Sequence, residues 1–205
     1  MPETLTKNEV HSKIDPSVSK QYDTETPTDQ QIKDFFKIVD GLKIGLLNTY
    51  REGRGPVGRS MAIAKRNGPD FLFLANKDSQ KFSDLSSNKE VQITFQDSKT
   101  QDWVSVTGTA TTTSNSDPRI KDVWSNGTKA WFGDLGDGKH DGGPNDPRVT
   151  LIEIKAKYVT YWIHQVGALG FAKEVIGAAV TGGVANTGAT RELKEAELEK
   201  ARQLQ

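Results

Sequence analysis

The sequence predicts a small antiparallel β-barrel with attached helices, in a chain of 205 residues. Six segments have the composition or the alternation of β-strands, and short turns join most of them. Helical patterns occur singly between the strands, so repeated βαβ units are not indicated. A chain of this length usually builds one substantial core, and a sheet that closes on itself buries that core without long free edges.

The first part of the chain divides into an arm and a helix. Residues 1–28 are polar and include three prolines, which predicts a mobile arm that orders in part against the fold or a partner subunit. Apolar side chains then recur at helical spacing after Asp29, a suitable N-terminal cap. We therefore predict a first helix over Thr28–Val39.

Six strands follow from the apolar patterns. Asn67 and Gly68, between the second and third strands, are a strong hairpin signal within the turn Arg66–Pro69. The third strand is almost wholly apolar, which indicates burial on both faces. The predicted strands are Leu42–Tyr50, Val57–Lys65, Phe71–Ala75, Val91–Gln96, Trp103–Thr113 and Arg148–Ile163.

Helices and a loop fill the remaining intervals. Short helices are predicted near 79–87 and from residue 118, followed by a glycine- and aspartate-rich loop over 133–147. Beyond it, residues 171–180 and 191–200 have helical character, although the second segment has few leucines to bury. We expect three parts: an arm over 1–28, a barrel domain over 29–166 and a helical extension over 167–205.

Composition and charge exclude several classes of function. Lysine plus arginine and aspartate plus glutamate both number 27, so no basic excess exists to hold a nucleic acid. The absence of cysteine excludes disulfides, thiolate catalysis and cysteine-ligated metals. No apolar run approaches a membrane span, and the first residues lack the apolar core of a signal peptide. We expect a cytoplasmic protein that binds neither nucleic acid nor membrane.

A phosphate site is predicted within Gly58–Leu85. Two residues lie on a strand and two open a short helix, whose free N–H groups and partial positive charge suit an anion. These four are Arg59, Ser60, Ser79 and Lys81. Strand alternation puts Arg59 on one face with Met61 and Ile63, where a buried charge without a counter-charge is costly. Ordinary surface charges with a helix cap are the alternative interpretation, and the position of Arg59 favours an anionic ligand over it.

Other motifs are weaker. The glycines of REGRGPVG have the spacing of a dinucleotide-binding loop, but a strand follows them instead of the required helix. The aspartates of 133–147 lack the order of a calcium loop, and the three histidines form no metal pair, so no metal is expected. Trp131 and Phe132 are either a core plug or a wall for a planar ligand. The motifs offer little acid–base machinery, which assigns any chemistry to a bound cofactor.

The segments GRSMAIA, FLFLANKDSQK, VSVTGTA and KAWF, in that order, resemble the pyridoxamine 5′-phosphate oxidase-like family. Within that family the chain is most similar to general stress protein 26 and to fungal blue-light-induced proteins. The resemblance covers about residues 32–162. It implies a six-stranded Greek-key split β-barrel of the FMN-binding type, forming a homodimer with FMN at the subunit interface. It also implies a flavin-dependent oxidoreductase of the stress response with a small-molecule electron donor or acceptor.

The resemblance assigns ten residues to the flavin. Ser79 and Lys81 would bind the phosphate together with Arg59. Trp131 and Phe132 would come from the partner subunit and cover the ring. The others would lie along the flavin or border its ring: Ser60, Met61, Ala75, Asn76 and Trp103.

Two departures separate this chain from true pyridoxamine phosphate oxidases. Ala64 stands where those enzymes carry a lysine, and YWIHQVG offers Trp162 and His164 without their Arg-x-His pair. A flavin oxidoreductase is therefore the preferred interpretation, with no catalytic residue assigned. A flavin-storage protein without turnover and a true oxidase are the two alternatives.

Overall fold

The computed structural model describes residues 16–204, so most of the predicted arm lies outside the described residues. Within that range the chain forms one eight-stranded sheet and seven helices. The strands are β1 (Ile44–Arg51), β2 (Gly55–Ala62), β3 (Lys65–Asn67), β4 (Asp70–Asn76), β5 (Glu90–Gln96), β6 (Trp103–Thr112), β7 (Val149–His164) and β8 (Gly188–Leu193). The helices are α1 (Pro16–Ser19), α2 (Thr28–Leu42), α3 (Lys81–Ser87), α4 (Arg119–Val123), α5 (Asn126–Lys129), α6 (Ala168–Thr181) and α7 (Glu195–Gln203).

The sheet closes into a barrel where the chain bends between β2 and β3. Neighbouring strands are antiparallel in the order β2-β1-β5-β6-β7-β4-β3, with β8 added to β7. β2 and β3 lie at opposite ends of this order, yet only Ile63 and Ala64 separate them in the chain. The Ile63 N–H donates to the carbonyl of Lys43 and the Ala64 N–H to that of Leu72, each at 2.9 Å. The predicted antiparallel barrel is confirmed.

The sheet has eight strands where the sequence predicted six. The second predicted strand is divided at the bend, and the predicted turn after it contributes to β3, which pairs with β4. The eighth strand lies where a helix was predicted to begin at Arg191. Ala189, Arg191 and Leu193 are buried there in alternation, because the free edge of β7 offers backbone partners that outweigh local helix propensity. The helix begins only at Glu195.

Helix α2 packs against the barrel core. Ile32, Phe35 and Val39 are fully buried and join the alternate inward residues of the strands. The helix starts at the predicted residue and continues to Leu42. Asp29 is not its cap, since it lies in the first turn, where its charge still favours the helix terminus.

The C-terminal elements α7 and β8 pack on the barrel, while α6 is largely exposed. Leu193 and Leu198 are fully buried. The buried Arg191 forms ion pairs with Asp23, at 2.8 Å, and with Asp34, at 2.5 Å, which joins β8 to α2 and to the segment before it. None of the helices between residues 16 and 204 is long and apolar enough to cross a bilayer.

Gly188 is expected to resist substitution because Trp162 lies over it. A Cβ atom there would stand 2.3 Å from the indole and 2.4 Å from the carbonyl oxygen of Ile163. Gly188→Ala should lower the free energy of unfolding by about 1–3 kcal/mol, measured by urea denaturation followed by tryptophan fluorescence. The matched control is Gly41→Ala in α2, where a Cβ meets nothing within 4 Å and about 0.4–1 kcal/mol of stabilisation is expected. Equal effects of the two substitutions would contradict this packing.

Candidate functional site

A buried carboxylate at the end of β1 and the start of α3 gathers several donors. The Asp84 side chain is only 3% exposed. Nε and Nη2 of Arg51 donate to its two oxygens at 2.9 and 3.1 Å. Thr49 Oγ1 donates at 2.8 Å and Arg59 Nη2 at 3.2 Å. Hydrogen bonding from Arg51 is the main reason why the pKa of Asp84 lies below its ordinary value.

Lys81 adds a third cation beside this pair of arginines. Its ammonium donates to Ser79 Oγ at 2.7 Å, and it forms no ion pair with a carboxylate in the part of the chain that the structure describes. Burial, and then the charge of Arg59, lower the pKa of Lys81. Lys81 and Arg59 therefore share one electrostatic environment.

The cluster has an excess of positive charge. Two of its three cations, Arg51 and Arg59, pair with the carboxylate of Asp84, and the third, Lys81, interacts electrostatically with Arg59. Burial lowers the pKa of Arg59 by more than the attraction of Asp84 raises it. A bound anion would offset this cost, because an opposite charge favours the ionised form of a buried cation. The cluster is thus suited to a phosphate group, which accepts charge-assisted hydrogen bonds from arginine and lysine.

Three members of the cluster were not predicted: Thr49, Arg51 and Asp84. Asp84 supplies a counter-charge for Arg59 that the sequence alone did not indicate. Strand alternation offered one signal, because it places Thr49 and Arg51 on the inward side of β1. No signal paired Arg51 with Asp84, which follows it by 33 positions on another element.

The loop from β4 to α3 is held by Asn76. Its side-chain oxygen accepts the Asp78 N–H at 2.9 Å, and its carbonyl accepts the Ser79 hydroxyl at 2.6 Å. Ala75, just before it, is buried. These contacts set the position from which Ser79 meets Lys81.

Other predicted flavin residues take different sides of the sheet. Arg59 and Met61 are partly buried on one face of β2, whereas Ser60 is exposed on the other. Trp103 pairs with Trp162 across β6 and β7, and both side chains are half-buried. The structure therefore brings Arg59, Ser79 and Lys81 together without placing Ser60 or Trp103 in contact with them.

Trp131 and Phe132 have contrasting environments. Phe132 packs against Ile120 and Val149, and the guanidinium carbon of Arg148 lies 5.8 Å from its ring centre. Trp131 is 88% exposed. Phe132 therefore packs in the core of its own chain, whereas the indole of Trp131 is exposed to solvent.

Arg148 and Asp146 anchor the loop that carries these aromatic residues. Arg148 donates to the carbonyls of Phe132 and Gly133, at 3.1 and 2.8 Å, and to the buried Asp146 carboxylate at 2.6 Å. Hydrogen bonding from Arg148 outweighs burial and lowers the pKa of Asp146 to about 2. The loop position therefore depends on an ionised Asp146.

Stability is expected to fall in acid because of this pair. The folded pKa of Asp146, about 2, lies below the ordinary value of 3.8, so its contribution is complete above about pH 4 and is lost as the pH falls towards 2. The loss should be about 2 kcal/mol in guanidinium unfolding at pH 6 compared with pH 2. Asp146→Asn should be less stable than the wild-type protein at pH 6, and its free energy of unfolding should depend less on pH between 6 and 2. An unchanged acid slope in that variant would assign the loss to other groups.

Known proteins resemble this chain in sequence and in fold. Residues 30–186 match the model of the family described as pyridoxamine 5′-phosphate oxidase like. Protein bli-3 of Neurospora crassa is 38% identical over 191 residues, covering 92% of this chain and 91% of bli-3.

Two solved structures show the fold at low sequence identity. A protein of Clostridium acetobutylicum related to general stress protein 26 has a TM-score of 0.59 at 17% identity, over 83% of this chain and 98% of its own. A pyridoxamine 5′-phosphate oxidase-related, FMN-binding protein from Nostoc punctiforme has a TM-score of 0.50 at 15% identity, over 72% of this chain and 95% of its own. Given the family match and the bli-3 relative, this chain belongs to the pyridoxamine 5′-phosphate oxidase-like family.

Proposed function

We propose that this protein binds FMN and acts as a flavin-dependent oxidoreductase. The observation that carries the proposal is the cluster at the β1–α3 junction, in which two arginines pair with one carboxylate and Lys81 interacts with one of those arginines. A phosphate monoester carries about −1.5 to −2 charges near neutral pH, which matches this excess. The FMN-binding description of the Nostoc punctiforme protein supports the same ligand class.

Different residues of the chain would bind the phosphate and the ring of FMN. Arg51, Arg59 and Lys81 would bind the phosphate, and the Ser79 hydroxyl would contribute a further hydrogen bond. Ala75 and Asn76, at the end of β4, would border the ring. When bound, the flavin would supply hydride transfer.

A homodimer is part of the proposal. Ile44, Leu46 and Tyr50 alternate along the outward side of β1, and each is at least half exposed. Apolar residues grouped on one sheet face are typical of protein interfaces. The exposed indole of Trp131 would then be free to cover a flavin bound by the partner subunit.

Flavin storage without turnover is the second candidate. It is favoured by the make-up of the phosphate cluster, where the one carboxylate is held by two arginines and offers no free acid–base group. A true pyridoxamine phosphate oxidase is disfavoured by Ala64, which supplies no substrate-binding charge. The likeness to general stress protein 26 structures supports a role in stress over a role in vitamin synthesis.

Titration with FMN and riboflavin tests the proposal. The protein with bound FMN should show a flavin absorbance spectrum. It should bind FMN at least about a hundredfold more tightly than riboflavin, because riboflavin lacks the phosphate. Reduction of the bound flavin by NADH or NADPH, with turnover on an added acceptor, separates an enzyme from a storage protein. A colourless protein that cannot be reconstituted with FMN overturns the proposal.

A further inference from the structure

An aspartate and a histidine meet where β6 begins and β7 ends. Asp102 is buried, and its Oδ1 accepts the backbone N–H of His164 at 2.7 Å. His164 Nδ1 lies 2.7 Å from Oδ1 and 3.0 Å from Oδ2 of the same carboxylate. Backbone and side chain are thus held together, which leaves the imidazole one orientation.

This orientation leaves Nε2 of His164 as the reactive nitrogen. An ionised carboxylate only accepts hydrogen bonds, so Nδ1 carries the proton of the pair. Nε2 has no hydrogen-bond partner among the described residues, and the side chain is 40% exposed. Carboxylate–imidazole pairs of this kind prepare the outer nitrogen to take up and release a proton.

The imidazole shares its sheet face with two indoles. Trp162 and His164 are two residues apart on β7 and share its outward face, and Trp103 is the register partner of Trp162. Both indoles are half-buried, and Trp162 lies over Gly188. A planar ring placed against these indoles would lie next to Nε2.

The surroundings favour an uncharged planar ligand. The register partners of Trp103, Trp162 and His164 are uncharged. They are Gln96 for Trp103, Thr190 for Trp162 and Gly188 for His164. A nicotinamide dinucleotide brings phosphates that need cations, which these positions do not offer.

The chain contains a second His–Asp pair that serves as a contrast. His140 Nδ1 lies 2.5 Å from Asp137 Oδ2, within the glycine-rich loop. Asp137 is exposed, and the neighbouring positions are glycines, a lysine and an aspartate. His140 thus shares the dyad, but Gly138 stands two positions before it where Trp162 precedes His164.

We propose that His164, oriented by Asp102, is the general acid–base residue for a quinone held against Trp103 and Trp162. This inference rests on the proposed function, since a reduced flavin must supply the electrons. With FMN bound and reduced, the flavin would supply a hydride to one carbonyl oxygen of the quinone, and protonated His164 would donate its Nε2 proton to the other. The products are a hydroquinone, oxidised flavin and neutral His164, which regains its proton from water.

Chemical modification tests the surface without any flavin. Diethyl pyrocarbonate acylates unprotonated imidazole nitrogens, and peptide mass spectrometry separates His164 from His140. Bound 1,4-naphthoquinone should slow modification of His164 about tenfold or more while leaving His140 unchanged. The chain has no cysteine for the quinone to alkylate. Equal rates at both histidines with and without quinone overturn the proposal.

Stopped-flow oxidation tests the proton transfer. In FMN-loaded protein reduced with dithionite, His164→Gln should slow oxidation by 1,4-naphthoquinone about a hundredfold, because general acid catalysis is lost. Asp102→Asn should slow it less, and His140→Gln should not change it. FMN affinity should be the same in all four proteins. Wild-type oxidation rates in His164→Gln overturn the proposal.

The two experiments separate this proposal from the proposed function. If the protein fails to bind FMN, the proposed function falls, while protection of His164 by naphthoquinone still reports the quinone surface. If FMN binds and His164 is not protected, the quinone site alone falls.

Discussion

Arg59→Ala and Lys81→Ala are each expected to weaken FMN binding by about tenfold to 150-fold. Each substitution removes charge-assisted hydrogen bonds to the phosphate, worth about 1.5–3 kcal/mol. Both cations are partly buried, and the cluster has only one carboxylate to balance them. Dissociation constants from quenching of flavin fluorescence would measure the loss.

Riboflavin and a neighbouring lysine are the controls for this prediction. Riboflavin lacks the phosphate, so its affinity should change little in either variant. Lys77→Ala removes an exposed cation from the same loop and should leave FMN affinity within about twofold. If FMN and riboflavin lose affinity equally, the two cations support the fold or the ring and the phosphate site is misplaced.

Asp84→Asn is expected to lower stability and to raise affinity for FMN. The substitution removes the counter-charge of Arg51 and Arg59 while keeping the size of the side chain. Breaking a buried ion pair on one side costs about 3–5 kcal/mol, and we expect the lower end here because Arg51 and Arg59 keep 26% and 21% of their side-chain exposure. The same uncompensated charge should bind a phosphate more tightly. Urea unfolding with and without FMN would measure both effects, since the stability added by a ligand at fixed concentration grows with the logarithm of its affinity.

The exposed Asp78 provides the matched control for Asp84. Asp78→Asn, six positions earlier on the same connection, should change the free energy of unfolding by less than about 0.5 kcal/mol. If Asp84→Asn folds but binds FMN more weakly, the role of Asp84 is to orient the arginines. That result would contradict our interpretation that the Asp84 carboxylate competes with the phosphate for the two arginines.

Much of the barrel could be predicted because strand signals are local. The alternation around Leu47, Ile93 and Val106 places each of them in the core, as the periodicity indicates. Arg59, Ser79 and Lys81 were also predicted, since a strand and a helix opening lie close together in the sequence. β8 was not predicted, because its residues Arg191–Leu193 favour a helix when the edge of β7 is left out of account.

Local patterns in the sequence predicted the antiparallel barrel, the family resemblance and the cations of the proposed phosphate site. Which charges those cations meet depends on the tertiary structure. Arg51 on β1 forms a hydrogen-bonded pair with Asp84 on α3, and His164 pairs with Asp102, which lies 62 positions earlier in the chain. Periodicity reports the burial of a residue within its own segment, whereas the partner of a buried charge depends on how distant segments pack. For this reason local patterns predicted the cations of the proposed site, whereas the balance of charge around them and the pairing of His164 with Asp102 depend on the folded chain.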